Sequence, residues 1–268
     1  MTILVLITLL LYAVSFAAYL RNLFVENKWL GRFAALCLGA GLALHYLALM
    51  ERARMLQGVP YEDLWGSLSL FAWMVGLIYL GLEMVHRGRS VGPFILPFVI
   101  ILFSLSHIRN VSPHPTQARG ALFALHITLS ILAYSAFALA AVLSAIFLLQ
   151  NRLLRRRKPG GVFWRFPALD VLERMSRSST LVGIFALIAG SASGSVWAHR
   201  LHGHYWNGDP KGIISLLILA CYAAYFLVSR RTAWRGARAA MFCALNFALV
   251  LFSFSIVNIY LSHYHKFY

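Results

Sequence analysis

Eight long apolar runs divide the chain and constrain its fold more than any other feature. They fall at residues 2–20, 33–50, 65–85, 91–106, 121–149, 180–198, 212–229 and 239–262. A helix of about 20 mostly apolar residues crosses the ~30 Å hydrocarbon core of a bilayer. The 268 residues are 60% hydrophobic and only 12% charged, whereas soluble domains are about 25% charged. We therefore predict an all-α polytopic membrane protein with about eight transmembrane helices, forming a single transmembrane domain over residues 1–268.

Basic residues are distributed unevenly between two sets of loops. The loops after the first, third, fifth and seventh runs hold 17 Lys and Arg residues, and the other loops and the termini hold 7. Lys and Arg accumulate in cytoplasmic loops. The split predicts that both termini lie on the outer, periplasmic side of a bacterial inner membrane and that the basic loop 151–178 is cytoplasmic. The net charge of +16 follows from this enrichment, so we predict no nucleic-acid partner.

The cysteines indicate no redox or metal chemistry. Cys37, Cys221 and Cys243 lie inside apolar runs and form no CxxC pair. Buried free cysteines behave as small apolar packing residues. The sequence therefore predicts neither a thiol relay nor a cysteine metal site, and it indicates no catalytic residue.

Polar chemistry is concentrated in one predicted outer loop, residues 194–211. This loop contains three histidines and two tryptophans, namely His199, His202, His204, Trp197 and Trp206. Under the predicted topology, nine of the ten histidines lie at or near the outer face. Neutral imidazole nitrogens ligate haem iron and other transition metals, and flat aromatic side chains offer a stacking surface for a porphyrin. The alternative for any one of these residues is a solvated histidine or an aromatic side chain of the membrane interface.

The loop resembles the tryptophan-rich "WWD" loop of the cytochrome c assembly proteins of the CcsA, CcmC and HemX-like type. The family pattern reads approximately G-A-V-W-A-N-E-A-W-G-S-Y-W-S-W-D-P-K-E. Ten of 18 positions agree without a gap, namely Gly194, Val196, Trp197, Ala198, Gly203, Tyr205, Trp206, Asp209, Pro210 and Lys211. Residues 64–73, the segment around His126 and the segment from Val257 to His265 are also similar to family segments. The resemblance covers nearly all of the chain.

The resemblance implies that the chain handles haem at the outer face. In this family, two histidines that flank the loop in sequence are axial ligands of the iron, and the motif match assigns these roles to His126 and His265. The implied cofactor is haem b, bound or in transit, with its ring against Trp197 and Trp206. The implied partners are apocytochrome c and a second membrane assembly protein. The implied activity is at most part of a cytochrome c haem lyase, because thioether formation uses the thiols of the apocytochrome.

Four further loop residues are predicted to belong to the site, namely Tyr205, Asp209, Lys211 and Arg200. We expect the haem propionates to pair with Arg200 or Lys211, because charge-assisted hydrogen bonds to carboxylates are strong. An alternative is that Asp209 pairs with one of these two cations. The loop departs from the family pattern at the two central tryptophan positions, and the histidine of the next family segment is replaced by Leu227.

Two other interpretations stay open. The departures favour a membrane subunit or scaffold of a larger redox or assembly complex, with a b-type haem or none. The cluster of His199, His202 and His204 would suit a transporter or a metal-binding membrane protein, although a zinc site needs three or four converging ligands. Loss of haem from a histidine variant with c-type cytochromes intact would support the subunit or scaffold interpretation. Zinc without haem in the purified protein would support the metal-binding interpretation.

Overall fold

The residues that the structure describes form eight α-helices. The structure is a computed structural model that describes residues 2–61, 63–108, 120–156, 166–206 and 209–255. The helices are α1 (Thr2–Val25), α2 (Lys28–Leu56), α3 (Leu64–His86), α4 (Gly92–Leu105), α5 (Gly120–Arg155), α6 (Leu169–His202), α7 (Pro210–Ser229) and α8 (Ala237–Phe252). Short 3-10 turns, Arg89–Val91 and Thr232–Trp234, precede α4 and α8. The prediction of an all-α polytopic membrane protein is confirmed.

Seven of the described helices are long and apolar enough to cross a membrane. The exception is α4, which has 14 residues and forms a shorter apolar segment together with the 3-10 turn before it. Proline lies at its start and again at Pro97 inside it. Because proline lacks a backbone N–H and crowds the preceding turn, the sequence of α4 is less suited to a long straight helix than those of its neighbours.

Contacts between connecting segments show that successive helices run in alternating directions. Arg89, after α3, donates a hydrogen bond to the Lys28 carbonyl at the start of α2, over 3.3 Å. Tyr61, between α2 and α3, donates to the Ala124 carbonyl near the start of α5, over 3.1 Å. We call the end with the α1–α2, α3–α4, α5–α6 and α7–α8 connections the basic end. The opposite end, with the α2–α3 and α6–α7 connections and the start of α5, is called the histidine end.

The long helix α5 lies between two apolar cores. One core joins it to α1–α4 and contains Tyr12, Tyr79 and Phe103, which are fully buried. The other joins it to α6, α7 and α8, where the rings of Phe137 and Tyr222 stack with centroids 3.7 Å apart. Helices in lipid associate through close packing and interhelical hydrogen bonds. Packing on both sides therefore sets the position of α5 and of the histidine that it carries.

At the basic end the helices extend beyond the apolar runs. Helix α5 continues to Arg155 and α6 already begins at Leu169, so much of the predicted loop 151–178 is helical where it is described. Two ion pairs one turn apart support the start of α6, Arg174–Asp170 at 2.7 Å and Arg177–Glu173 at 3.1 Å. Opposite charges at this spacing stabilise a helix.

Candidate functional site

His126 lies on α5, facing the backbone of α6. Its Nδ1 atom is 2.7 Å from the Gly190 carbonyl oxygen. A carbonyl oxygen only accepts hydrogen bonds, so Nδ1 must carry the proton and donate it. The neutral ring then has its lone pair on Nε2. This is the arrangement of metal-ligating histidines, which donate their other ring N–H to a backbone carbonyl or a carboxylate.

Gly194 makes room for the His126 ring. A Cβ atom at this position would lie 2.5 Å from Nδ1 and 2.7 Å from Cε1 of His126, closer than real Cβ contacts. Ser193 donates a second hydrogen bond to the Gly190 carbonyl, over 2.9 Å. The small residues of α6, which suggest only close helix packing in the sequence, therefore also hold the candidate ligand.

Tyr61 braces the helical turn that carries His126. It is 8% exposed, and its hydroxyl lies 3.1 Å from the Ala124 carbonyl and 2.6 Å from the Thr128 hydroxyl. Ala124 and Thr128 stand two residues before and two residues after His126. The sequence reasoning missed Tyr61, because only the docking of the α2–α3 connection onto α5 reveals its role.

An ion pair holds the connection that presents Tyr61. The Arg52 guanidinium donates to both carboxylate oxygens of Asp63, over 2.8 and 2.6 Å, and to the Pro60 carbonyl over 3.0 Å. Asp63 also caps α3 by accepting from the Gly66 N–H over 2.8 Å. Both contacts to Asp63 come from one nitrogen, Nη2, and Arg52 is only 5% exposed, so these are partly buried charge-assisted hydrogen bonds. The connection is therefore rigid at the point where it contacts α5.

Trp197 is brought close to His126 by the packing of α5 and α6. Its ring lies against Phe123, with centroids 5.1 Å apart and planes at 44°. Phe123 is about one turn before His126 on α5, and Trp197 is about one turn after Gly194 on α6. The half-buried indole thus lies on the same α5–α6 interface as the histidine, about one turn further along α6 than Gly194.

The end of α6 presents two exposed aromatic rings. Gly203 terminates the helix with a left-handed backbone, φ 76°, and its N–H bonds to the His199 carbonyl over 2.8 Å. The His199 and Tyr205 rings stack with centroids 4.0 Å apart and planes at 6°. Trp206 is 51% exposed and lies over the start of α7, where a Cβ at Gly212 would be 3.0 Å from its ring.

Asp209 caps the start of α7. Its side chain accepts a hydrogen bond from the backbone N–H of Lys211 over 3.2 Å, and Pro210 is the first helical residue. Asp at the cap and Pro in the first turn are standard helix-start signals, so the local sequence alone could have revealed this role. Arg200 is exposed near the end of α6, and its pairing with a propionate stays a prediction.

The predicted pair of axial ligands and the predicted histidine cluster each include a residue whose side chain the structure does not describe. His265 lies outside the described residues, so the pair of axial ligands stays a prediction. Within the described part of the chain, no group of three or more His, Cys, Asp or Glu is placed to hold a metal ion. The side chain of His202 also lies outside what is described, and His199 stacks on an aromatic ring. The metal-binding alternative thus gains no support from the described residues.

Comparison with known proteins decides the family. A family model described as "Cytochrome C assembly protein" matches residues 61–265. The chain belongs to this family. It is 28% identical to the protein HemX of Brevibacillus brevis, over 92% of this chain and 92% of that protein. It is 26% identical to HemX of Bacillus subtilis (strain 168), over 97% and 95% of the two chains.

Two longer proteins match this chain over part of their own length. The cytochrome c biogenesis protein CcsA of Chlamydomonas reinhardtii is 26% identical over 83% of this chain and 64% of its own. The solved structure of the cytochrome c haem lyase CcmF has a TM-score of 0.66 at 17% identity. That match covers 94% of this chain but only 45% of the CcmF chain, and it shows a shared fold. The resemblance seen in the outer loop is thus confirmed at the level of the family.

Proposed function

We propose that the chain binds haem at the histidine end and presents it to apocytochrome c. Membership of the cytochrome c assembly family supports a role in cytochrome c maturation. One observation carries the haem proposal, namely the hydrogen bond from His126 Nδ1 to the Gly190 carbonyl at 2.7 Å. This bond selects the tautomer whose Nε2 lone pair suits an axial ligand of iron.

The surroundings of His126 fit the role of an axial ligand. The Gly190 carbonyl orients the ring and raises the basicity of Nε2, and the Tyr61 hydroxyl steadies the helical turn that carries it. The second axial ligand would be His265, as the family motif implies. When bound, haem supplies the iron and the vinyl groups that react with the thiols of apocytochrome c.

The outer aromatic and basic residues suit the other parts of a porphyrin. Trp197, Tyr205 and Trp206 offer flat apolar faces at the same end of the bundle as His126. Arg200 and Lys211 would bind the propionates by charge-assisted hydrogen bonds. Tyr205 and Trp206 are 61% and 51% exposed; because His199 stacks on one face of Tyr205, a porphyrin would use the opposite face of that ring.

The proposed setting is the inner membrane of a bacterium, with residues 194–211 facing the periplasm. Seven helices suited to crossing a membrane support a multi-pass protein, and the concentration of Lys and Arg at the basic end supports this orientation. CcmF is more than twice as long as the part that this chain matches. This difference supports a second membrane assembly protein as a partner, so that any lyase activity belongs to the complex.

A second candidate function is a membrane subunit or scaffold of a larger complex, with a b-type haem or none. The HemX proteins of Brevibacillus brevis and Bacillus subtilis are matched over 92% and 95% of their length, whereas CcsA of Prochlorococcus marinus (strain MIT 9301) is matched over 77% and CcsA of Chlamydomonas reinhardtii over 64%. The altered tryptophan positions of the outer loop and Leu227 on α7 favour the same interpretation.

The two functions differ in what happens to c-type cytochromes. In the host, the wild-type protein is replaced by the variant His126→Ala or by the control variant His204→Ala. His204 is an exposed histidine at the same end of the bundle. Haem-stained c-type cytochromes and the haem content of the purified protein are then measured. We expect His126→Ala to lose both and His204→Ala to keep both. Loss of haem from His126→Ala with c-type cytochromes intact would favour the scaffold function. Unchanged haem content in purified His126→Ala would overturn the proposed haem site.

A further inference from the structure

The connection between α7 and α8, at the basic end, carries an unbalanced group of positive charges. Four exposed arginines lie within nine residues of the chain, namely Arg230, Arg231, Arg235 and Arg238. We call these four residues the arginine patch. No Asp or Glu occurs from residue 210 to the end of the sequence, and no arginine of the patch forms an ion pair with a described carboxylate. The charge of the patch is therefore not balanced by neighbours in the sequence.

The length of α7 places this connection at the surface of the membrane. Helix α7 has 20 residues, which span about 30 Å, the thickness of the hydrocarbon core of a bilayer. The end of α7 at Ser229 therefore lies where the hydrocarbon meets the lipid headgroups. Trp234, in the 3-10 turn of the connection, is 43% exposed, and tryptophan is typical of this interface. The arginine patch is thus at the level of the lipid phosphates.

Backbone hydrogen bonds make the connection compact. The Arg231 N–H donates to the Val228 carbonyl over 2.9 Å, and the Trp234 N–H donates to the Arg231 carbonyl over 3.0 Å. Gly236 then leads the chain into α8 with φ 78° and ψ −130°, a conformation that residues with a side chain rarely adopt. All four arginines of the patch are therefore carried by one short, tightly folded segment.

Two guanidinium groups of the patch are positioned by the protein itself. The Arg230 guanidinium lies 4.8 Å from the centre of the Phe226 ring, which is a cation–π contact. Arg238 Nη1 donates to the Ala233 carbonyl over 3.2 Å, so the Arg238 guanidinium lies beside the 3-10 turn. A guanidinium has more N–H donors than either contact uses. Because these two groups are already ordered, binding an anion costs them less conformational entropy.

Apolar side chains adjoin the patch on both helices. Leu227 lies in the last turn of α7, and Met241 and Leu245 lie in the first half of α8; all three are exposed. A phospholipid combines a phosphate at the level of the arginines with acyl chains that can cover these side chains. This combination favours a lipid over a soluble anion as the ligand.

We infer that the arginine patch binds the headgroup of an anionic phospholipid. Polybasic segments next to membrane helices attract anionic lipids, and guanidinium groups match the geometry of phosphate oxygens. The patch contains no carboxylate to accept an ammonium group, so a lipid with a net negative charge is preferred to a zwitterionic one. The patch lies at the opposite end of the bundle from His126 and does not depend on the proposed haem function.

Native mass spectrometry of the delipidated full-length protein tests the headgroup. Phosphatidylglycerol and phosphatidylcholine with identical acyl chains are added in turn. The choline ammonium offsets the phosphate charge, so we expect phosphatidylglycerol to be retained at least about tenfold better. Equal retention of the two lipids would overturn the inference. Displacement of phosphatidylglycerol by an equal concentration of free glycerol phosphate would assign the patch to a soluble anion instead.

Variants of the patch separate it from the general positive charge of the basic end. Arg231→Gln and Arg235→Gln each remove one charge and leave the contacts of Arg230 and Arg238 in place. Each should lower retention of phosphatidylglycerol about fivefold, the usual scale for one arginine near an anionic surface.

The matched control is Arg174→Gln, which removes an exposed arginine of the same end. The Arg174 charge is already balanced by Asp170 at 2.7 Å, so this variant should retain phosphatidylglycerol like the wild type. A loss in Arg174→Gln as large as in the patch variants, or no loss in either patch variant, would contradict the assignment. Melting temperatures verify that each variant is folded.

Discussion

Replacing Gly194 by alanine tests the geometry of the candidate ligand without touching the ligand itself. The added methyl group would lie 2.5 Å from His126 Nδ1 and 2.7 Å from Cε1. The ring must therefore move away, and its 2.7 Å bond to the Gly190 carbonyl must lengthen or break. The perturbation reaches the iron-binding nitrogen only through the orientation of the ring.

Two costs and one gain contribute to the stability of this variant. Overpacking costs about 1–3 kcal/mol, and the weakened hydrogen bond costs about 0.5–1.5 kcal/mol. Alanine in a helix regains about 0.5–1 kcal/mol relative to glycine. We expect a net loss of roughly 0.5–4 kcal/mol in the free energy of unfolding. Haem affinity should fall about 10- to 100-fold, the effect usually seen when a partner of a metal ligand is lost.

The assay is a haem titration of the detergent-purified protein followed by absorption, together with thermal unfolding. The matched control is Gly81→Ala on α3, where an added Cβ meets no atom within 4 Å. Gly81→Ala should keep haem affinity and show no loss of stability. In a His126→Ala background the ring that the added methyl group would meet is absent, so Gly194→Ala should cause no loss of stability. Haem binding by Gly194→Ala that equals that of Gly81→Ala would refute the reasoning.

Three shorter predictions concern other parts of the histidine end. Tyr61→Phe removes hydroxyl contacts at 2.6 and 3.1 Å and should lower the free energy of unfolding by about 0.5–1.5 kcal/mol. The control is Tyr46→Phe at an exposed position, for which thermal unfolding should show no such loss; equal losses in the two variants would contradict the bracing role. Asp209→Ala should cost about 0.5–2 kcal/mol through loss of the helix cap, and Asp209→Asn should keep wild-type stability because asparagine also caps helices. Equal losses in the two variants, measured by thermal unfolding, would contradict the capping role. Burial and the nearby charge of Arg52 lower the pKa of His107, so as the pH falls the imidazole is protonated in the unfolded chain before it is protonated in the folded protein. The melting temperature should therefore fall as the pH drops below about 6.5. The same pH dependence in His107→Gln would contradict this assignment.

The sequence predicted the helices well because apolar length is a strong constraint in a membrane. The sequence underestimated the length of several helices, because hydropathy marks only the apolar part of a helix. Asp170 and Arg174 lie within the predicted basic loop 151–178, and their ion pair at 2.7 Å supports a helical turn outside the apolar run.

The candidate site was partly predictable. His126 and Trp197 were identified from the family motif, and the structure brings them to one helix interface. The contact between His126 and the Gly190 carbonyl was not predictable, because it depends on the register of two helices far apart in sequence. The bracing by Tyr61 was hidden for the same reason, whereas the capping role of Asp209 follows from the local sequence, in which Asp209 directly precedes Pro210 at the start of α7.

The most direct test of the haem proposal is a reduced-minus-oxidised absorption spectrum of the detergent-purified protein after haem-replete expression. The variants are His126→Ala and His265→Ala, singly and together, with His86→Ala as a control at the basic end, where this histidine bonds to Ser178 over 2.9 Å. The account predicts a low-spin haem band in the wild type and in His86→Ala that is lost when His126 is replaced. A wild type without haem, or a band that persists in the double variant, would contradict it.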